Sequence, residues 1–368
     1  MFGRAEVTAE LSDSWKQIYG ISFADQYYED NNDPDASHPL DLARSHYEGG
    51  LTKADLQNQI KLGADAGLVL GLESKEEIAS SKYHSESAWG PFDTDFDERS
   101  STTNAYYAQG KLKAFDALYA DAGMRYSDHS RFGGKSVWQG GLAWMLRETG
   151  SRLSTNIGTG FRAPSLFQLY SSYGDENLQP EKSLGLDAGI EQRFMSGRLV
   201  LGETYFHNRF RDLITFDPGS FLYANTSRAV TQGLETTASF ELSADLKLEG
   251  NYTWLDAENS ETHEELLRRA RHRAALWLDW SATEDISLSA GLKFAGLRYD
   301  TDYSSYPAAR VNLASYATLN LGASYRLSPA CSLFVRGENL LDREYEEVSG
   351  FGVAGAAVYA GVKFTGGI

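Results

Sequence analysis

The chain has 368 residues, rich in Tyr (21), Phe (18) and Gly (35), with only eight Pro and one Cys. Thirty-four basic side chains against 51 acidic ones leave a formal charge of −17, which argues against nucleic acid, whose binding calls for a basic footprint. A lone Cys331 excludes an internal disulfide, and no run approaches 18 apolar residues, so no transmembrane helix is expected. The length allows two ordinary domains or one large β structure, and the aromatic and glycine enrichment favours strands and tight turns. The acidity fits a well-solvated surface, or loops that bind a cation. Mean hydropathy of −0.41 looks soluble, yet transmembrane β-strands that alternate lipid-facing and lumen-facing residues also average to polar.

In chain order, strands are expected near 2–10, 15–30, 52–63, 67–84, 102–114, 116–128, 136–147, 151–161, 181–194, 198–215, 222–242, 245–256, 268–281, 286–299, 311–327, 331–346 and 357–365. The evidence is period-2 alternation. Leu288, Ala290, Leu292 and Phe294 share one face, with Ser287, Ser289, Gly291 and Lys293 on the other. Leu319, Leu321, Ala323 and Tyr325 oppose Asn320, Gly322, Ser324 and Arg326 in the same way. Such runs exceed the roughly 5–6 residues of a soluble strand and suit the 9–11 or so that cross a membrane. The connections also alternate. Short turns fall near 12–14, 64–67, 149–151, 195–197, 243–245, 283–285 and 328–330. Longer loops fall near 32–51, 87–101, 162–180, 217–223, 256–267, 300–310 and 347–356. That asymmetry predicts an all-β, antiparallel transmembrane barrel, with turns in the periplasm and loops outside. Aromatics near strand ends (Tyr106, Tyr107, Trp144, Trp254, Trp280, Tyr299, Tyr325 and Phe364) are candidates for its interfacial girdles.

Seventeen strands pose a parity problem. The first and last both end on the periplasmic side, whereas a barrel that starts and ends there needs an even number. The chain is therefore expected to begin inside a barrel, at an extracellular loop, after an N-terminal part with an odd number of strands. Either its first and last strands pair in parallel, or the sheet stays open.

Several enzyme-like motifs fail on context. Gly158-Thr159-Gly160-Phe161-Arg162-Ala163 fits G-x-G-x-x-G/A, but Pro164 and an aromatic loop follow where a helix should start. Gly134-Lys135-Ser136 lacks the upstream glycine of a P-loop, and His263-Glu264 is followed by Leu267 where a second His would be needed. No enzymatic activity and no cofactor are expected. The run Arg268, Arg269, Arg271 and Arg273 would hold an anionic ligand or lipopolysaccharide phosphate, or pair with lumen carboxylates such as Glu235 or Glu249. Asp30, Asp33 and Asp35 lie in an oxygen-dense loop that is a candidate calcium site, against the alternative of a solvated acidic loop.

One stretch carries a family pattern: GTGFRAPSLFQLY at 158–170, Asn177-Leu178-Gln179-Pro180-Glu181-Lys182-Ser183, then Gly189-Ile190-Glu191. Further on come Asn225-Thr226 with Gly233-Leu234-Glu235, Asn251-Tyr252-Thr253-Trp254-Leu255-Asp256-Ala257, Arg268-Arg269-Ala270-Arg271-His272, and Gly337-Glu338-Asn339-Leu340-Leu341-Asp342-Arg343-Glu344-Tyr345. In this order they resemble the TonB-dependent outer-membrane receptors, on the branch of cobalamin and catecholate-siderophore receptors, from about residue 100 to 364. Ala270 departs from the Pro that the family pattern has there. The resemblance implies a barrel of twenty-two strands behind a plug, of which residues 1–368 would be a partial barrel domain with no plug and no signal peptide. It implies uptake of a scarce nutrient, a cobalamin-like or iron–siderophore ligand, with TonB engaged only through the missing plug. The alternatives are a passive pore or structural barrel and, from another class, a barrel hydrolase.

Loop aromatics at the mouth are the candidate ligand contacts: Phe167, Tyr170, Tyr173, Tyr223, Tyr303 and Tyr306. The resemblance also implies a monomer in the cell outer membrane, set among lipid and lipopolysaccharide. The barrel insertion machinery would read its C-terminal strand through Tyr359, Gly361 and Phe364, although Gly366 stands where a terminal aromatic is expected.

Overall fold

The computed structural model describes residues 1–365 except 37, 89, 218, 305 and 306, with the backbone alone at 226 and 227. Twenty-one strands form among the described residues, and seventeen of them, all but the short ones at Arg298–Asp302, Ala309–Leu313, Glu346–Val348 and Phe351–Gly352, correspond to the seventeen expected. The first eight are β1 (Phe2–Ser12), β2 (Trp15–Asn32), β3 (Leu42–Lys61), β4 (Ala66–Ser87), β5 (Gly90–Ala114), β6 (Leu118–His129), β7 (Gly133–Leu146) and β8 (Ser151–Arg162). A short helix α1 (Leu166–Tyr170) precedes β9 (Glu181–Phe194), β10 (Leu199–Asp217), β11 (Leu222–Ser243) and β12 (Leu246–Asn259). Then come β13 (His272–Ser281), β14 (Ile286–Ala295), β15 (Arg298–Asp302) and β16 (Ala309–Leu313). The chain ends with β17 (Tyr316–Ser328), β18 (Cys331–Glu338), β19 (Glu346–Val348), β20 (Phe351–Gly352) and β21 (Ala357–Phe364). Two compact units form: residues 1–142, 156–184 and 210–228, and residues 143–155, 185–209 and 229–368.

In the first unit β1 to β6 pair antiparallel in sequence order. Their registers align Val7, Tyr19, Leu56, Leu72, Tyr106 and Tyr126 in one row across six strands. Five of these are 43–66% exposed. One residue along lies the opposite face: Glu6, Gly20, Asp55, Glu73, Ala105 and Ser127. There Ser127 is 2% exposed. The sheet is thus apolar where it is open and polar where it is covered. An apolar face this broad is foreign to a soluble monomer and suits hydrocarbon as its solvent.

The covered face satisfies its charges internally. Arg4 donates to Asp55 at 3.1 Å, Lys53 lies 3.5 Å from both Asp55 and Glu73, and Arg125 reaches Glu73 at 2.6 Å. Arg4 and Asp55 belong to strands separated by β2, and Gly20 opens the gap. A Cβ there would come within 2.6 Å of the Arg4 Nη2 and 2.7 Å of the Asp55 Oδ2.

In the second unit β12, β13, β14, β17, β18 and β21 pair antiparallel in turn. The alternation holds again: Leu276, Leu288, Leu292, Leu321, Tyr325 and Val335 are all at least 36% exposed. Of the proposed girdle aromatics, Tyr106, Trp144, Trp280, Tyr325 and Phe364 are exposed. Tyr107 instead turns to the covered face and donates to Gln57 at 3.3 Å.

The structure differs from expectation at several ends. The expected loop at 87–101 is mostly strand, because β5 starts at Gly90 and pairs with the far half of β4. The single strand expected over 286–299 stops at Ala295. Arg298 is 3% exposed and reaches the Glu346 carbonyl, and β15 pairs with β16 as a separate hairpin. Arg268–Arg271 precede β13 rather than lie in it, with Arg268 at a positive φ of 59°. The strand expected to reach 346 ends at Glu338, where Asn339 turns left-handed at φ 47°.

Candidate ligand site

The loop after β8 is built rather than loose. Ser165 caps α1: its Oγ accepts the Gln168 N–H at 3.1 Å while the Gln168 Oε1 accepts the Ser165 N–H at 3.0 Å, a reciprocal capping box. Leu166 and Leu169 point inward from opposite ends of this single turn. Leu166 joins Ala79 and Phe96, whereas Leu169 joins Leu178 and Ile214. The return limb is clamped by side chains. Asn225 accepts the Gln179 N–H at 2.7 Å and donates to the carbonyls of Gln179 at 2.9 Å and Asp212 at 2.6 Å. Glu181 takes both Arg162 donors, at 2.7 and 2.5 Å, together with the Ile214 N–H at 2.9 Å. Gly158 and Gly160 lie inside β8, so the dinucleotide-like spacing belongs to a strand.

Four of the six candidate contacts meet in this unit. Phe167 lies edge-on to Tyr223 at 6.3 Å, Phe216 to Tyr223 at 5.8 Å, and Tyr173 to Phe216 at 5.9 Å. Tyr170 packs on both apolar clusters. Two guanidiniums face its ring, Arg99 at 5.0 Å and Arg131 at 5.4 Å. Arg131 also donates to the Tyr170 hydroxyl at 2.6 Å and to Glu176. Arg99 has no other partner among the described residues. Phe167, Tyr170 and Tyr223 are thus largely structural rings, while Tyr173 and the neighbouring Phe221 stand 37% and 56% exposed. Sequence reasoning missed Arg99, Arg131, Phe216 and Phe221, because nothing local marks a cation or ring that a distant Tyr170 or Tyr223 will meet.

Below this cluster the covered face encloses a cavity of about 710 Å³. Tyr47, Glu73, Lys75, Arg125, His129 and Arg162 are among its walls. Most of its charges are paired, as Lys75 is with Glu77 at 2.9 Å. The space suits a sizeable polar ligand rather than a single ion.

The other candidates lie elsewhere. Tyr303 follows β15, 60% exposed. Tyr306 and Gly366 lie outside the described residues. Asp33 pairs with Arg44, and Asp35 lies 3.3 Å from His38. No group of three or more His, Cys, Asp or Glu converges as a metal site among the described residues, and Asp30, Asp33 and Asp35 form none. In β21 Tyr359 lies under Arg336 at 4.8 Å, Gly361 abuts the Phe334 ring, and Phe364 is 76% exposed.

In the second unit two of the four arginines of the run are paired, and with neither Glu235 nor Glu249. Arg271 pairs with Glu265, and Arg268 donates to Asp300 at 2.8 Å. Asp300 is fully buried and also accepts the N–H groups of Ser349 and Thr301, both at 2.8 Å. It thereby ties together the segment before β13, the β15–β16 hairpin and the β19–β20 turn. Burial alone would raise this carboxyl, but the Ser349 N–H, the Arg268 guanidinium and the Thr301 N–H outweigh it and hold it below the usual range. A carboxyl depressed in the folded state stabilises above its ordinary value of about 3.9, and that contribution is lost as pH falls through the lower folded value. Hydrogen-exchange protection of the amides of 298–302 and 346–350 is therefore expected to hold from pH 8 to 5 and to fall below about 4. Asp300→Asn is expected to lose it already at pH 7. Equal protection factors in both proteins at both ends of the range would refute the clasp.

Residues 3–340 match the family described as "TonB dependent receptor-like, beta-barrel". The ferripyoverdine receptor of the outer membrane of Pseudomonas aeruginosa, solved with ferripyoverdine bound, is similar in structure at a TM-score of 0.79 and 16% identity; 99% of this chain aligns with 56% of that one. The ferric yersiniabactin uptake receptor FyuA from Yersinia pestis gives 0.74 and 16%, over 98% of this chain and 59% of that one. The ferric-catecholate import receptor Fiu from E. coli K12 gives 0.77 and 14%, over 99% and 63%. The chain therefore spans a little over half the length of the first of these structures, and at such identities the likeness is one of fold.

Proposed function

Because the chain belongs to the TonB-dependent receptor-like β-barrel family of the outer membrane, a family of receptors and not of enzymes, we propose that it forms the wall and outer loops of a nutrient receptor for an iron–siderophore complex. TonB would energise uptake in the whole receptor. The supporting observation is the loop cluster in which Arg99 and Arg131 flank Tyr170 beside the partly open rings of Tyr173 and Phe221. An anionic chelate with aromatic arms meets both of its requirements there, cations and π-faces. Tyr173 would touch the ligand from an exposed position, with Phe167, Tyr170 and Tyr223 holding the surface in shape. In the same reading the protein is a monomer among lipid and lipopolysaccharide, inserted by machinery that reads Tyr359, Gly361 and Phe364.

Binding to the detergent-purified receptor tests this reading, with a ferric tris-catecholate, ferripyoverdine and cyanocobalamin as probes. One of the two iron complexes is expected to saturate, and Arg99→Gln or Tyr173→Ala to weaken it about tenfold, the scale of a partly desolvated cation–π contact. Saturation by cyanocobalamin alone would move the function to the cobalamin branch. Steady conductance in a planar bilayer, with no saturable binding of any probe, would make the chain a passive pore instead.

A further inference from the structure

The second unit holds a hollow of about 590 Å³ on the polar face of β13, β14 and β17. Its position follows from register. Thr253, Arg273, Ala295 and Tyr316 form one row, and Asn251, Ala275, Lys293 and Thr318 the next. Ala275 and Ala295 are too short to fill the face, so the longer side chains around them stand as a rim. Trp277 lies beside Gly291, where a Cβ would sit 3.4 Å from the indole, in ordinary contact. On the far side Tyr316 and Tyr345 stack at 3.7 Å.

The charges around the hollow are unevenly satisfied. Its acids are engaged: Glu338 lies 3.4 Å from Arg336, and Glu347 accepts the Tyr316 hydroxyl at 2.7 Å. Glu249, on the same face of β12, lies 2.7 Å from Lys247. Arg273 and Lys293 line the same hollow and make no hydrogen bond or ion pair with any described residue. Elsewhere on the polar faces Arg4, Lys53, Lys75 and Arg125 each have a carboxylate. Against a chain of net charge −17, two cations without an ion-pair partner outnumber the one lining acid, Glu347, that likewise lacks a cation, and leave the pocket net attractive to anions. The Arg fork offers paired donors and the Lys ammonium a point charge, a combination that suits tetrahedral or carboxylate oxygens.

We propose that this hollow binds a small oxyanion, a phosphate- or carboxylate-bearing molecule, held between Arg273 and Lys293. The site lies in a different unit from the aromatic loop cluster and does not depend on what that cluster binds. Isothermal titration calorimetry on the full chain in detergent tests it, with inorganic phosphate and citrate as separate probes. At least one is expected to bind saturably, and the stronger of the two identifies the oxyanion class. Arg273→Gln and Lys293→Gln are each expected to weaken binding tenfold or more, and the double variant to abolish it. The neighbouring Lys247→Gln is expected to leave it unchanged. Binding that survives in the double variant, or no saturable binding of either probe up to about 10 mM, the weak end of specific affinity, would overturn the proposal. So would saturation by an Asp-rich peptide with none by the small anions, which would assign the hollow to a polypeptide segment.

Discussion

Gly233→Ala is expected to leave little folded protein, whereas Gly71→Ala folds nearly as wild type. A Cβ at either position would sit 2.0 Å from a neighbour, so distance alone does not separate them. At Gly233 the neighbour is the Trp254 carbonyl oxygen, with the Phe206 ring 2.8 Å away on another side. That oxygen belongs to β12, which is locked in register with β11 over fourteen residue pairs, from Ala229↔Asn259 to Ser243↔Leu246. Relief requires moving backbone, so the cost is expected at or above the upper end of the usual 1–3 kcal/mol for overpacking. At Gly71 the neighbour is the far end of the Tyr107 ring, which can swing aside for about 1 kcal/mol, the cost of an off-rotamer side chain. The folded fraction of each variant, read from heat-dependent gel mobility, decides the matter. Equal folded fractions would mean that the β11–β12 ladder yields at Gly233.

Asn225→Ala is expected to free the return limb of the α1 loop without unfolding the strands. Three hydrogen bonds disappear at once, each worth about 1 kcal/mol, and two carbonyls and one N–H lose their partner. Limited proteolysis should then cut within 171–180 at least tenfold faster, with the rest of the chain unchanged. Asn225→Asp should do no better. It keeps an acceptor for the Gln179 N–H but sets a carboxylate against the carbonyls of Gln179 and Asp212. A wild-type cleavage rate in Asn225→Asp would mean that the single accepted bond carries the clamp.

The long strands were legible in the sequence because they separate an apolar from a polar face, and that demand is local and periodic. Two kinds of feature escaped. The first is what ends a strand. The strand was expected to run to Tyr299, yet the apolar alternation breaks at Gly296-Leu297, the ladder stops at Ala295, and Arg298 turns to reach Glu346, 48 residues away. The second is structure inside loops. Five residues of α1 are too few to show a helical period, although the Ser165–Gln168 pair is a capping signature that could have been read. The candidate site was legible in part for the same reason. The aromatic residues stand out in 162–180, but whether a ring faces solvent or packs on Leu178 depends on Ile214 of β10 and Phe132 of the β6–β7 turn, both distant in sequence. The motif residues of 158–191 also gain a meaning that the pattern alone lacks. Arg162, Gln179 and Glu181 are the loop's own fastenings, and Asn225 is the distant member that completes them.

The length of β4 and β5 bears on what this protein presents to the world outside the cell. These strands run 22 and 25 residues and stay paired from Ala66↔Leu112 to Ser87↔Gly90. Tilted at about 45°, such a hairpin rises about 50 Å along the bilayer normal, about 20 Å more than the hydrocarbon core occupies. The hairpin therefore projects well beyond the hydrocarbon. A phage tail fibre, an antibody or an inserted epitope tag would meet residues 80–88 and 90–95 before the parts of this hairpin nearer the β5–β6 turn.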